Sequence, residues 1–276
     1  MSELLFGTGG VPLSSADRSV LAGVKRIKEL GLDCMEVEFV RGVRIKQEEA
    51  GKAGKAAAEL GITLTCHGPY YINLNSDEAR IREASVRRIL DTARAAHWLG
   101  AVSITFHAAF FMKKDPEEVY QVVRQALADI SARVKKEGLQ VRISPELTGK
   151  PTQFGSLEEL LRLAREVDNI HPCIDFSHHH ARTAGMQNTY QEFCESLEAI
   201  EKALGRKALE HLHMHLSGIN YTPKGERNHL DLPESDMEYE ALLKALKDSK
   251  VGGQLICESP NLEDDARLLK DTYRGL

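Results

Sequence analysis

Seven side chains able to hold a cation stand where short apolar runs end: His67, His107, Glu146, Asp175, His178, His215 and Glu258. Asp175 and His178 lie three residues apart in the stretch PCIDFSH, 172–178. A turn after Asp175 can fold His178 back beside the carboxylate. One hard oxygen and one imidazole at that reach suit a divalent metal of the zinc or manganese type. Taken alone, such a pair is usually an ordinary hydrogen-bonded loop, and a lone strand-end histidine is usually a satisfied core residue. Seven such groups in phase on six strands are a poor coincidence. Three carboxylates and four imidazoles packed together call for two or three divalent cations between them.

For these groups to meet, their strands must converge. Strand and helix patterns alternate eight times along the chain. Strands are expected at 4–7, 34–39, 62–67, 102–107, 140–146, 172–176, 210–216 and 254–258. Helices are expected at 17–30, 47–60, 77–99, 115–137, from 156, and at 190–204, 237–246 and 262–273. Gly31, Gly61 and Gly100 stop the first three helices, Asp115-Pro116 opens the fourth, and Ser156 with Glu159 has capping-box spacing. Gly7-Thr8-Gly9-Gly10 is read as a turn, too isolated for a phosphate loop. Eight units in one run predict a single domain over 1–276, a closed (β/α)8 TIM barrel rather than an open doubly wound sheet. The strand faces support this. Thr63, Thr65 and His67 oppose Ile62, Leu64 and Cys66, and His211, His213 and His215 oppose Leu212, Met214 and Leu216. An apolar face toward helices and a polar face toward a barrel interior give that alternation. The seven groups then gather at the carboxyl ends of the strands, the face where barrel active sites lie. Arg142, on an inward face, is expected to pair with Glu36 or Glu38, and His213 to be a buried hydrogen-bonding residue below His215.

The bulk properties narrow the class. The chain has 276 residues and a formal net charge of −5, a balance that neither demands nor excludes nucleic acid. Five cysteines, none in a CxxC pair, suggest a reducing compartment. No targeting segment and no apolar run near the roughly 18 residues of a membrane span are visible. A cytoplasmic monomer with no membrane partner is expected.

The stretches CHGPYYINL (66–74), ITFHAAFF (104–111), SPELTGKPTQFGSLEEL (144–160), CIDFSHHHARTAG (173–185), HMHLSG (213–218) and LICESPN (255–261) resemble the endonuclease IV family of abasic-site endonucleases. That family lies within the xylose-isomerase-like barrels. The resemblance runs from the third strand to the eighth, in order and at family spacing. It implies two or three Zn2+ ions, with Mn2+ as an alternative, acting on double-stranded DNA with abasic sites and hydrolysing the phosphodiester 5′ to the lesion. Carried over by position, Glu146 bridges two metals, His67 and His107 bind the more open one, and Asp175, His215 and Glu258 complete the pair. His178 belongs to a third metal. There the family has Asp-Arg-His, whereas this chain reads Gly225-Glu226-Arg227-Asn228-His229, so Glu226 and His229 are the candidate ligands with one extra residue between them. Glu146 and Glu258 are the expected catalytic carboxylates. Tyr70 and Tyr71 could wedge into a base stack, and Arg182, Lys224 and Arg227 could meet phosphates. Plain rim tyrosines and solvated loop charges would look the same in sequence.

A second reading is a metal-dependent sugar isomerase or epimerase of the same barrel class, with Glu38 as the base that takes a carbon-bound proton. A third is a metal-holding or DNA-binding protein without turnover.

Overall fold

A computed structural model describes residues 3–276. Eight parallel strands form the barrel: β1 (Leu4–Gly9), β2 (Cys34–Glu38), β3 (Thr63–His67), β4 (Ser103–Phe106), β5 (Arg142–Pro145), β6 (Cys173–Asp175), β7 (Leu212–Leu216) and β8 (Gly253–Cys257). Their hydrogen-bonded order is β5-β4-β3-β2-β1-β8-β7-β6. Two isolated parallel bridges, Ile143 to Ile170 and Glu146 to Cys173, bring β5 against β6 and close the ring. The result is a single (β/α)8 barrel.

Nine helices surround it among the described residues: α1 (Val20–Glu29), α2 (Gln47–Leu60), α3 (Ala79–Leu99), α4 (Pro116–Lys136), α5 (Leu157–Glu166), α6 (Phe176–Arg182), α7 (Tyr190–Leu204), α8 (Tyr239–Asp248) and α9 (Glu263–Gly275). Their ends follow local chemistry. Asp115 accepts from the amides of Glu117 and Glu118 at the start of α4, and Ser156 and Glu159 form a reciprocal capping box on α5. Gly61 and Gly100 close α2 and α3 in the left-handed conformation. The outward strand faces and inward helix faces share one core. Met35, Ile104, Ile174, Met214 and Leu255 from the strands join Ile27, Ile89, Leu127 and Leu243 from the helices. Each such side chain contributes about 1.5–3 kcal/mol when fully buried. No described helix is long and apolar enough to cross a membrane.

The structure departs from expectation in four places. Strand β1 runs on through Gly9 instead of turning at Gly7. Gly7 is needed because an added Cβ would collide with the Cys34 carbonyl of the neighbouring strand. Helix α1 begins at Val20, where Ser19 caps it, rather than at 17. His178 lies on the short helix α6, not in a turn. The segment after β7 folds into an antiparallel hairpin, Gly218–Thr222 against Gly225–Leu230. That hairpin arches over the carboxyl end of the barrel and carries Glu226 and His229 there.

Candidate metal centre

Asp175 is both the last residue of β6 and the N-cap of α6. Its Oδ1 accepts from the His178 amide at 2.7 Å, which places the His178 ring in the first helical turn. Its other oxygen, Oδ2, lies 3.1 Å from His178 Nδ1. Strand register sets the rest: Asp175 is opposite His215, and Glu38 opposite His67.

Among the described residues, five groups of side chains, among them Cys173 with His213 and His215 and Glu36 with Glu38 and Glu258, place their donor atoms within 4.8 Å of one another, and three of the five hold the expected ligands. The first is His67, His107 and Glu146. The second is Glu146, Asp175, His215 and Glu258. The third is His178, Glu226 and His229. Glu146 lies at the junction. Its carboxylate is 3.0 Å from His67 Nε2, 3.2 Å from His107 Nε2, 3.2 Å from His178 Nδ1 and 3.6 Å from His215 Nδ1. All nine residues singled out as metal ligands thus come together in three adjoining groups.

The hairpin reaches the site through two glycines. A Cβ on Gly149 would lie 2.7 Å from Glu226 Cβ and 3.0 Å from His178 Cδ2. Gly225 adopts φ +94°, and a Cβ there would meet the Gly149 carbonyl. The Glu226 amide donates to that same carbonyl at 2.9 Å. Bare backbone at 149 and 225 lets the hairpin lie close enough to add its two donors.

The protonation pattern asks for cations. The rings of His67, His178 and His229 each set Nδ1 within 2.7–3.1 Å of a backbone carbonyl, those of Gly68, Leu147 and Glu258. A carbonyl only accepts, so Nδ1 carries the proton and Nε2 can offer a lone pair. His178 Nε2 and His229 Nε2 face each other at 3.4 Å, with Glu226 Oε2 3.7 Å from the former. Glu146 Oε1, Asp175 Oδ2 and His215 Nδ1 are buried without a hydrogen-bond partner among the described residues. These are donor atoms of the second set. Converging, unsatisfied nitrogen and carboxylate oxygen donors fit a divalent cation of the zinc or manganese type.

Below the ligands lies a supporting layer. His215 Nε2 and His213 Nε2 each sit 2.9 Å from Glu36, and Thr65 Oγ1 donates to Glu36 at 2.7 Å. His213 Nδ1 is 3.0 Å from Ser103 Oγ. His213 is therefore the buried hydrogen-bonding residue expected. Glu36 orients His215 from behind, a role its place on the polar face of β2 could have signalled. The pairing of Arg142 with Glu36 or Glu38 is corrected. Glu36 is committed to the two imidazoles, and Arg142 donates instead to the carbonyls of Val102 and His211 at the opposite end of the barrel.

Without cations most of the groups hold one another charged, although burial raises the Asp175 carboxyl. Burial opposes ionisation of Glu146 and Glu258, but the imidazoles of His107 and His215 overcome it. Glu146 lies well below the usual carboxylate range and Glu258 falls to about 2. Burial also opposes charge on His178, yet the Asp175 and Glu146 carboxylates push it up to about 10. Protons and metals therefore compete for the same nitrogens. The stability that protonated His178 gives the metal-free protein is fully present below its ordinary value of 6.5 and lost as pH rises through about 10. Chelator-treated protein should lose melting temperature steadily across that window. Metal-loaded protein should gain it between about pH 5 and 7, because its ligands hold no proton that the unfolded chain would take up. Calorimetry of both forms checks the opposed slopes; a parallel rise would refute the charge pattern.

The expected nucleic-acid contacts fare differently. Tyr70 and Tyr71 stand on the rim, each 63% exposed, with the Tyr70 ring 6.2 Å from that of His67. Lys224 and Arg227 are exposed on the hairpin. Arg182 is half-buried, and its Nη1 donates to the carbonyls of Thr148, Lys150 and Gln153 and to Thr148 Oγ1, bracing the loop after β5, while its Nε and Nη2 donate to no described residue. A cavity of about 480 Å3 adjoins the centre, lined in part by Glu38, Tyr70, His229 and Glu258.

A family model described as xylose isomerase-like TIM barrel matches residues 24–274. An uncharacterized protein of Methanocaldococcus jannaschii is 43% identical over 273 residues, 99% of this chain and 98% of that one. A probable endonuclease 4 of Aquifex aeolicus is 23% identical over 249 residues, 87% of this chain and 86% of that one. Among solved structures, a D-tagatose 3-epimerase-like protein superposes with a TM-score of 0.76 at 19% identity, covering 99% of this chain and 97% of the other.

Proposed function

The chain belongs to the xylose isomerase-like TIM barrel family, and on that footing we propose that it is a metal-dependent endonuclease that cuts the DNA phosphodiester 5′ to an abasic site. The observation that carries this reading is the set of three adjoining ligand groups that meet at Glu146. A clustered two- or three-cation site is suited to a phosphodiester, whose attacking, bridging and leaving oxygens all carry charge in the transition state. The similarity to a probable endonuclease 4 supports it. Two or three Zn2+, or Mn2+ in their place, would polarise the phosphate and acidify a water nucleophile when bound.

The chain's own residues supply the rest. Glu146 holds the first and second groups in register, and Glu258 closes the second from β8. His107 is the most open ligand of the first group, its side chain 26% exposed against 6% for His67. A scissile phosphate would approach from that side. Tyr70 and Tyr71 would pack against bases flanking the gap, and Lys224 and Arg227 would meet backbone phosphates as the protein acts as a monomer on the duplex. Replacing both tyrosines by alanine should raise KM for abasic duplex by about tenfold or more, since stacking is worth about 1–3 kcal/mol per base. Turnover at saturation and melting temperature should hold. A fall confined to turnover would remove the tyrosines from substrate binding.

The deciding experiment is metal analysis followed by incubation with a duplex carrying one abasic site, with and without chelator. Chelator-sensitive nicking on the 5′ side is the expected result.

One observation favours a second reading. Glu38 Oε1 is buried without a partner among the described residues, and Glu38 lines the 480 Å3 cavity. Burial raises this carboxyl to about 8, and in its ionised form it could take a carbon-bound proton from a ketose, as an epimerase requires. One retained cation, no nicking and turnover of a ketose would establish that activity instead.

A further inference from the structure

At the amino end of the barrel, remote from the metal centre, Arg142 begins β5. Four residues at roughly 3.3 Å each, or about 13 Å, separate it from Glu146. Arg142 is half-buried and has no carboxylate within ion-pair distance among the described residues. Its Nε and Nη1 donate to the carbonyls of Val102 and His211. Two adjoining clefts of about 710 and 350 Å3 share Arg142, His171 and His211 as lining residues. Lys135 stands on the wall of the first and Lys207 on that of the second. The single acidic side chain lining either cleft, Asp168, lies 3.7 Å from Lys135 at the exposed rim.

We propose that this cleft is a second ligand site that receives the phosphate group of a small phosphorylated molecule. A guanidinium withdrawn from water without a counter-charge is costly, and an anion relieves that cost. The Nε and Nη1 groups of Arg142 are engaged by carbonyls, and its Nη2, which donates to no described residue, is left to meet a phosphate oxygen. Lys207 can meet the remaining charge, and the two imidazoles flank the guanidinium as hydrogen-bond donors. Burial and the nearby Arg142 charge lower the His171 pKa, with the Asp168 carboxylate opposing them. A volume of several hundred Å3 accommodates a nucleotide-sized ligand.

The test uses metal-loaded protein with 13C-labelled histidine. The His171 and His211 ring signals, assigned through His171→Gln and His211→Gln, are followed while inorganic phosphate or AMP is added at constant ionic strength. Phosphate bound at the metals moves other histidines, so these two signals report the cleft alone. Saturable shifts of both are expected, weakened about tenfold or more in Arg142→Met through loss of charge-assisted hydrogen bonds. Saturation by AMP but not by inorganic phosphate assigns a phosphate ester; saturation by both assigns the phosphate group itself. If Arg142→Met does not fold, exposed Lys207→Glu carries the same test and should weaken binding severalfold. Shifts matched by chloride, or left unchanged by Arg142→Met or Lys207→Glu, overturn the proposal.

Discussion

Glu146→Gln should lower nicking turnover by on the order of a thousandfold, the loss that follows removal of a group aligned with developing charge. The purified variant should also hold at least one cation fewer per chain. The side chain has four imidazoles within 3.6 Å and belongs to two of the three ligand sets. No other residue belongs to both. The amide keeps the shape and loses the charge, so the change reads electrostatics rather than packing. A separate effect appears in chelated protein. The buried imidazoles lose their counter-charge, and breaking a buried pair from one side costs about 3–5 kcal/mol. Metal analysis, nicking rates and calorimetry check the three parts. A variant with full metal content and turnover would remove Glu146 from the centre of the reading.

His229→Ala should act on one cation alone. His229 reaches the site on the hairpin, its Nδ1 is anchored by the Glu258 carbonyl at 3.1 Å, and its Nε2 faces His178. Without it the third set retains only His178 and Glu226. Metal content should fall by one per chain while the first and second sets stay loaded. Turnover should drop by roughly a hundredfold, as befits one of several charge-stabilising groups. The melting temperature of the chelated protein should barely move, since His229 is half-exposed and outside the core. Loss of all cations together would mean that the three sets are one cooperative site rather than three adjoining ones.

The barrel was legible because each unit repeats a strong local signal. Polar and apolar residues alternate on the strands, and α2, α3, α4 and α5 carry their caps in plain view. The cation ligands were legible for a related reason: in-phase polar faces on parallel strands must point to one end. What escaped detection depended on contacts between distant segments. FSHHHAR has no apolar periodicity, so α6 is not visible in the sequence, although Asp175 caps it. The hairpin is not visible in the sequence because GERNHL, its second strand, has no apolar alternation, Leu230 alone standing at its end. The hairpin is what accommodates the extra residue between Glu226 and His229. The bulge between Asn220 and Tyr221 shifts the hairpin register, and Glu226 and His229 still reach His178. The pairing of Arg142 with Glu36 or Glu38 rests on charge alone, and nothing local says that Glu36 is already taken by His213 and His215.

The ring of strands has a thin seam. Between β5 and β6 stand two isolated bridges in place of a continuous ladder. One of them involves Glu146, whose successor Leu147 donates to the Cys173 carbonyl at 3.0 Å. A cation held by Glu146, Asp175, His215 and Glu258 would rivet β5 to β6, β7 and β8 at their tips. Loading the site thereby fastens the wall at this joint, and amide exchange at Glu146 and Leu147 should slow more than elsewhere when the ions enter. In this barrel the reagents and the hoop would be the same atoms.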